Sequence, residues 1–258
     1  MTVNFVTASV GGSGVQFALA TGDDLILDAG VTVYSEDIDV VRGSGSNTIF
    51  LNANSSLVAL NTSFIAAAID LSGDGNSSVV TISQTAAVFG DIYSEHILTK
   101  VTNFGSISGG LDGVDLRGTN GVITNFGDIS AAAAAAEVDR SGLIINHGSL
   151  VSEGTGAFFG NASGTLRNSG TIDSTIGVRG NSEKAASDRY AFTNSGTITA
   201  SEAAIQINSS TATIVNSGTI TTTSTSKAAL LFQSNALSLS APNILVNTGE
   251  ILGHVRQA

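Results

Sequence analysis

"ITNFGDIS" occupies residues 123–130, and the chain writes variants of it again and again. They are "VTNFGSIS" (101–108), "IINHGSLV" (144–151), "LRNSGTID" (166–173), "FTNSGTIT" (192–199), "IVNSGTIT" (214–221) and "LVNTGEIL" (245–252). Within each, the apolar residue, the Asn, the Gly and the Ile or Leu fall two residues apart, as in Ile123, Asn125, Gly127 and Ile129. A period of two is the signature of a strand, with all four positions on one face. The alternate positions, Thr124, Phe126, Asp128 and Ser130, are mostly polar and belong to the other face.

The Asn positions are Asn103, Asn125, Asn146, Asn168, Asn194, Asn216 and Asn247, with spacings of 22, 21, 22, 26, 22 and 31 residues. Self-similarity at such a period means stacked repeats. A second strand is legible midway through each unit, as "GVDLR" (113–117), "AFFG" (157–160), "IGVRG" (176–180), "AAIQIN" (203–208) and "AALLFQ" (228–233). A coil of about 22 residues with two or three short strands is one rung of a parallel β-helix. Rungs stacked about 4.8 Å apart complete each other's backbone hydrogen bonds and share a continuous core. The expectation is an all-β chain, a single parallel β-helix of about ten rungs, right-handed by the bias of parallel crossovers.

In this frame the recurring Asn forms a ladder, bonding to the Asn above and below and to the turn backbone. The Gly suits either a positive φ or a place too tight for a Cβ. Upstream the motif fades to "LILDAGVTV" (25–33), "FLNANSSLV" (50–58) and "TISQTAAVF" (81–89), with Ala29, Ala53 and Gln84 read as standing in for the Asn. Residues 1–24 are expected to cap the stack and 25–258 to form the helix, because an open end is an unpaired sheet edge. Two long units place surface loops around "NTSFIAAAIDLSGDG" (61–75) and "SNALSLSAPN" (234–243). The chain ends one strand past Asn247 with no visible cap, which reads as a fragment of a longer chain or an end covered by another.

Composition removes several function classes. With no Cys there is no disulfide framework, thiolate nucleophile or thiolate metal site. A formal charge of −11 argues against nucleic acid and anionic membrane as partners. The N-terminus "MTVNFVTASVGGSGVQFALA" lacks a basic n-region and a continuous apolar run, so it is not read as a cleavable signal peptide. No apolar stretch is long enough for membrane insertion, and "AAAAAA" (131–136) is far too short. P-loop, dinucleotide and hydrolase motifs are absent.

The repeated N-x-G-x-I with its intervening G-[VI]-x-[LI] resembles the β-helical regions of large bacterial exported proteins. These include autotransporter passenger-like domains and the N-terminal parts of haemolysin-type (RTX) calcium-binding proteins. The likeness covers residues 101–253 well and 25–100 weakly. It implies a secreted or cell-surface protein, an adhesin or stalk. RTX proteins bind calcium in nonapeptide repeats; here "SGDGNSS" (72–78) is one fragment of such a loop and never repeats, so the resemblance implies no calcium in this chain.

Sugar-processing β-helices cluster carboxylates with a basic partner on one strand face. The best cluster is Asp112, Asp115 and Arg117 on one rung with Glu137, Asp139 and Arg140 on the next. Val114 and Leu116 are expected inward, Asp115 and Arg117 outward with Asp139 beside them, and Arg179 further along a similar face. Asp115, Arg117, Asp139 and Arg140 are thus candidates for binding a polysaccharide or a host-surface ligand. The plainer reading, preferred here, is solvated surface charge. No catalytic residue and no metal ligand is assigned. Phe104, Phe126 and His147 share the x of N-x-G and offer an aromatic platform, unless the 85–100 segment with Tyr93 covers it. A T-x-T grid at Thr197/Thr199 and Thr219/Thr221 is only two rungs deep and is read as ordinary solvent-facing strand. The three His (His96, His147, His254) show no ligand spacing. The reading from sequence is a non-enzymatic structural or adhesive segment, with a carbohydrate-active or carbohydrate-binding β-helix as its alternative. Oligomeric state is not legible.

Overall fold

A computed structural model describes residues 1–61, 67–73, 75–161, 163–181, 189–208, 211–233 and 242–257. Among them there is no helix, and the strand pairings are all parallel. The chain coils as a β-solenoid of about ten turns with a spacing near 22 residues. Each turn lays one strand on each of three faces. Face A carries Asp24–Leu27, Thr48–Leu51, Val79–Ile82 and Lys100–Asn103. Face B carries Thr32–Ser35, Ser56–Ala59, Ala87–Phe89 and Ser106–Ser108. Face C carries Val41–Gly43, Ala67–Leu71 and Asp91–Ser94. Further on, strands run unbroken round a corner: Asp112–Asn125 and Ala134–Asn146 from C to A, Ser149–Phe159 and Thr197–Asn208 from B to C.

The period-two pattern places the core. Leu25, Ile49, Val80, Val101, Ile123 and Ile144 stack inward on face A; Val33, Leu57, Val88, Ile107 and Ile129 do so on face B; Ile69, Ile92, Val114 and Leu116 do so on face C. All are buried. Each such side chain removed from water stabilises by roughly 1.5–3 kcal/mol, so the column of like-sized aliphatics is the main cohesive term. Where the column switches to Phe159, Tyr190 and Phe192, glycines make room: a Cβ on Gly164 would meet the Phe159 ring and one on Gly180 the Tyr190 ring.

The Asn corner is as the motif implies. Asn125 Nδ2 donates to Asn146 Oδ1 (2.9 Å), to the carbonyl of Gly127 (3.0 Å) and to that of Ser149 on the next rung (3.0 Å). The ladder runs unbroken from Asn103 to Asn247 through Asn146, Asn168, Asn194 and Asn216, each step 2.7–2.9 Å. Asn103 has no Asn before it, and its Oδ1 accepts the Gly105 N–H instead (3.1 Å). The glycine is required by space and not by φ: a Cβ on Gly127 would collide with the Gly105 carbonyl, and one on Gly148 with the Gly127 carbonyl.

Upstream the register corrects the sequence reading by two residues. Asn103 lies opposite Ile82, Ile82 opposite Leu51 and Leu51 opposite Leu27, so Gln84, Ala53 and Ala29 are not the ladder positions. The reason is a wider corner. Four residues separate Leu51 from Ser56, where two separate Asn103 from Ser106. The wide corner closes its own backbone turn, through Val31 N–H to Asp28 O (3.3 Å), Ser55 to Asn52 (3.1 Å) and Ala86 to Ser83 (3.0 Å), and puts one residue at positive φ: Gly30, Asn54 or Thr85. No polar side chain is needed inside, so aliphatics fill the position.

Residues 1–24, expected to cap, form a rung of the same kind: Val3–Val6, Val10–Gly12 and Phe17–Leu19 pair with Asp24–Leu27, Thr32–Ser35 and Val41–Gly43. The alanine run ends in face C strand, with Ala135 and Ala136 buried. Of the two loops expected on the surface, 62–66, 74 and 234–241 lie outside the described residues, whereas Ala67–Leu71 of the first is a mostly buried face C strand and not a loop.

Candidate functional site on face C

Outward residues of face C form a column. Arg42 lies opposite Asp70, Asp70 opposite Tyr93, Tyr93 opposite Asp115, Asp115 opposite Glu137, Glu137 opposite Phe158 and Phe158 opposite Arg179. At its acidic centre a shallow pocket of about 320 Å³ is lined by Asp70, Asp91, Tyr93, Asp112, Asp115 and Arg117, among others.

Carboxylates on this side do two different things. Several tie one rung to the next through backbone N–H groups. Asp39 accepts from Ala67 (2.8 Å), Asp91 from Gly110 (2.6 Å) and Asp112 from Ala134 (3.0 Å). Asp139 accepts from both the backbone N–H and the side-chain Nδ2 of Asn161 (3.2 and 2.8 Å). Charge-assisted bonds of this type are stronger than neutral ones and lock the turns.

Asp115 and Glu137 are different. Asp115 Oδ2 accepts from Arg117 Nε at 2.8 Å, while its Oδ1 is buried with no partner among the described residues. The Asp115 side chain is only 3% exposed. Arg117 reaches back over the Tyr93 ring, 5.1 Å from its centroid. Oxygens of Asp112, Asp115 and Glu137 lie within 4.8 Å of one another. Burial pushes the Asp115 carboxyl up to about 6, against the pull of Arg117. Burial together with the Asp115, Asp112 and Asp139 charges pushes Glu137 up to about 8. Burial also raises Asp91, Asp112 and the Tyr93 phenol, the last helped by its bond to Glu95. Crowded carboxylates in a low dielectric favour the proton, because both charges cannot be solvated at once.

The four residues singled out from sequence therefore separate. Asp115 and Arg117 meet. Asp139 is held by Asn161, and Arg140 stands exposed opposite Thr119. The sequence reading sets Asp139 beside Asp115 and Arg117. A register shift between Leu116 and Thr119 breaks that pairing, and Glu137 is the true neighbour of Asp115. Arg42, Asp70, Tyr93 and Phe158 were missed. The available signal was the single outward residue between inward aliphatics in "AIDL", "DIYS" and "AFF".

The aromatic stack is uncovered: Phe104 and Phe126 are 44% and 46% exposed, with centroids 4.9 Å apart and rings within 3° of parallel; His147 follows at 4.8 Å. Yet the rings lie face to face along the solenoid axis, so Phe126 offers mainly an edge to solvent and gives no face on which a sugar ring can lie. The threonine grid is in register as expected, Thr197 opposite Thr219 and Thr199 opposite Thr221, and gives way to Glu250 and Leu252. His96 is buried against Ser78 (2.9 Å), which lowers its pKa, and His254 is exposed.

Compared with known proteins, the chain matches no family model, no curated protein and no solved structure.

Proposed function

We propose that this chain is a non-enzymatic, rod-like β-solenoid segment of a secreted or cell-surface bacterial protein, structural or adhesive in role. The observation that carries this reading is the ladder. An uninterrupted series of Asn–Asn bonds from Asn103 to Asn247, buried as far as Asn216 and set over a continuous apolar core, is a device for keeping many rungs in register. Carboxylates that a sugar-processing site would need as acids or bases, Asp91, Asp112 and Asp139, are already held by backbone groups of neighbouring rungs. Antibody labelling of intact producing cells tests the placement. Surface labelling is expected, and labelling only after permeabilisation ends the proposal.

A second reading is favoured by Asp115 and Glu137. Two carboxyls on adjacent rungs, one at about 6 and one at about 8, are split in the manner of an acid and a base. On this alternative the pocket beside Tyr93 and Arg117 takes an acidic or neutral polysaccharide. Incubation with a panel of polysaccharides, following reducing ends and new unsaturated ends, separates the readings. Turnover lost in Asp115→Asn would replace the rod by the enzyme.

A further inference from the structure

We propose that Asp112, Asp115 and Glu137 form a binding site for a divalent cation, calcium in the first instance, on face C. The site does not rest on the rod reading, and it claims Asp115 and Glu137, the pair that the carbohydrate alternative casts as acid and base. Three carboxylates from two adjacent rungs bring oxygens within 4.8 Å of one another. Such a cluster alone proves nothing. The second observation is Asp115 itself: its side chain is 3% exposed, its Oδ2 is held by Arg117, and its Oδ1 is buried without a donor among the described residues. A buried anionic oxygen with no hydrogen-bond partner is costly, and two further carboxylates beside it deepen the cost. Once Glu137 gives up the proton that burial favours, Arg117 supplies one positive charge against three negative ones, so ion binding and proton release are coupled. A divalent cation seated between the three groups completes both the charge and the coordination.

The donor set selects the ion. All three ligands are oxygens, with no His or Cys among them, which suits hard cations and not zinc or copper. Asp112 is fixed by the Ala134 N–H and Asp115 by Arg117, so two of the three ligands are held in place by bonds within the protein. Calcium accepts irregular, partly hydrated coordination, whereas magnesium demands near-ideal geometry. Glu137 is only partly buried, so it provides the ligand that can move and the route of entry. With three carboxylates and water completing the shell, the expected Kd is roughly 10⁻⁴–10⁻³ M, the range of extracellular calcium modules.

The test is calorimetric titration of the EDTA-treated chain with calcium chloride, beside the Glu137→Gln and Asp115→Asn variants. Saturable one-to-one binding is expected, weakened about 10–100-fold by Glu137→Gln, as loss of a metal-supporting group does elsewhere. Terbium, a hard oxygen-seeking ion, gives a second reading. Tyr93 lines the same pocket, so tyrosine-sensitised terbium emission should rise on binding, fall when calcium competes and vanish in Tyr93→Phe. That readout decides the question should the Gln variant not fold. No saturable binding through the millimolar range, or binding unchanged in Glu137→Gln, overturns the site.

Discussion

The corners before Lys100 and those after it solve one problem in two ways. In both regions the chain must leave face A and enter face B without abandoning its polar groups to the core. The early corners, 28–31, 52–55 and 83–86, take four residues and close a backbone turn on themselves. The later corners take two residues and delegate the task to a buried Asn side chain bonded up and down the stack. Register passes across the junction undisturbed, Ile82 opposite Asn103. What differs is where information resides. A self-closed turn makes one bond within its own rung and reaches its neighbours largely through backbone groups that any residue supplies, as in Gly30 N–H to Ala53 O. A ladder corner is satisfied only by its neighbours, so its sequence must repeat.

This contrast is breakable. The largest effect should come from forcing one solution into the other's place. Leu51 occupies the register position that Asn103 occupies two rungs later, and it is fully buried. Leu51→Asn would strand an amide between Leu27 and Ile82 with no ladder partner. The lost packing and the unpaired polar group together should cost about 4 kcal/mol or more in urea unfolding. A loss near zero would mean that early corners accept ladder chemistry and that the division is accidental.

Glycine separates the corners next. Gly148→Ala should cost about 3 kcal/mol, because its Cβ would meet the Gly127 carbonyl and the Phe126 backbone, both held by the stack. Gly30→Ala faces open space but sits at φ +76°, so only the left-handed penalty of about 1 kcal/mol applies. Melting temperatures of the two variants measure the difference directly. The ranking reversed would refute the tight-corner account.

Third is the ladder itself. Asn146→Ala removes the acceptor for Asn125 and the donor to Asn168, Gly148 and Thr171, all at a buried site, and should cost about 1–3 kcal/mol. Asn247 is exposed and donates to Gly249, so Asn247→Ala should cost less. Equal losses at the two sites would contradict the ladder.

The same contrast explains how much was legible. The later corners announced themselves, because stacked Asn and colliding carbonyls leave few alternatives, and the inward Val114 and Leu116 followed from alternation. The early corners need only one residue at positive φ, which Gly30, Asn54 and Thr85 each provide, so no motif marks them and the rung phase was read two residues late. Face C hid its column for a related reason: outward residues are free to vary, and Asp70, Tyr93, Asp115 and Glu137 share a line only through register. The shift after Leu116, which sends Asp139 to Asn161, leaves no trace in repeat length.

The smallest effect concerns that column and is a slope in pH. Glu137 is held at about 8 in the folded chain, by burial first and then by the charges of Asp115, Asp112 and Asp139, with Arg117 opposing. An unfolded glutamate titrates near 4.3. Between these values the folded chain holds a proton that the unfolded chain has released. Stability contributed at this position is therefore greatest below about pH 4.3 and declines as pH rises toward 8. Asp115, raised to about 6, adds a decline of the same sign over a narrower window that ends near pH 6. The slope should be mild, because Glu137 is partly exposed and can turn toward water as it ionises. Glu137→Gln carries no proton to release, so its melting temperature, measured in EDTA from pH 5 to 8, should fall less steeply than that of the unaltered chain. Parallel curves would show that the three carboxylates do not share one low-dielectric pocket, and would leave the corners, not face C, as the region where this solenoid's chemistry is concentrated.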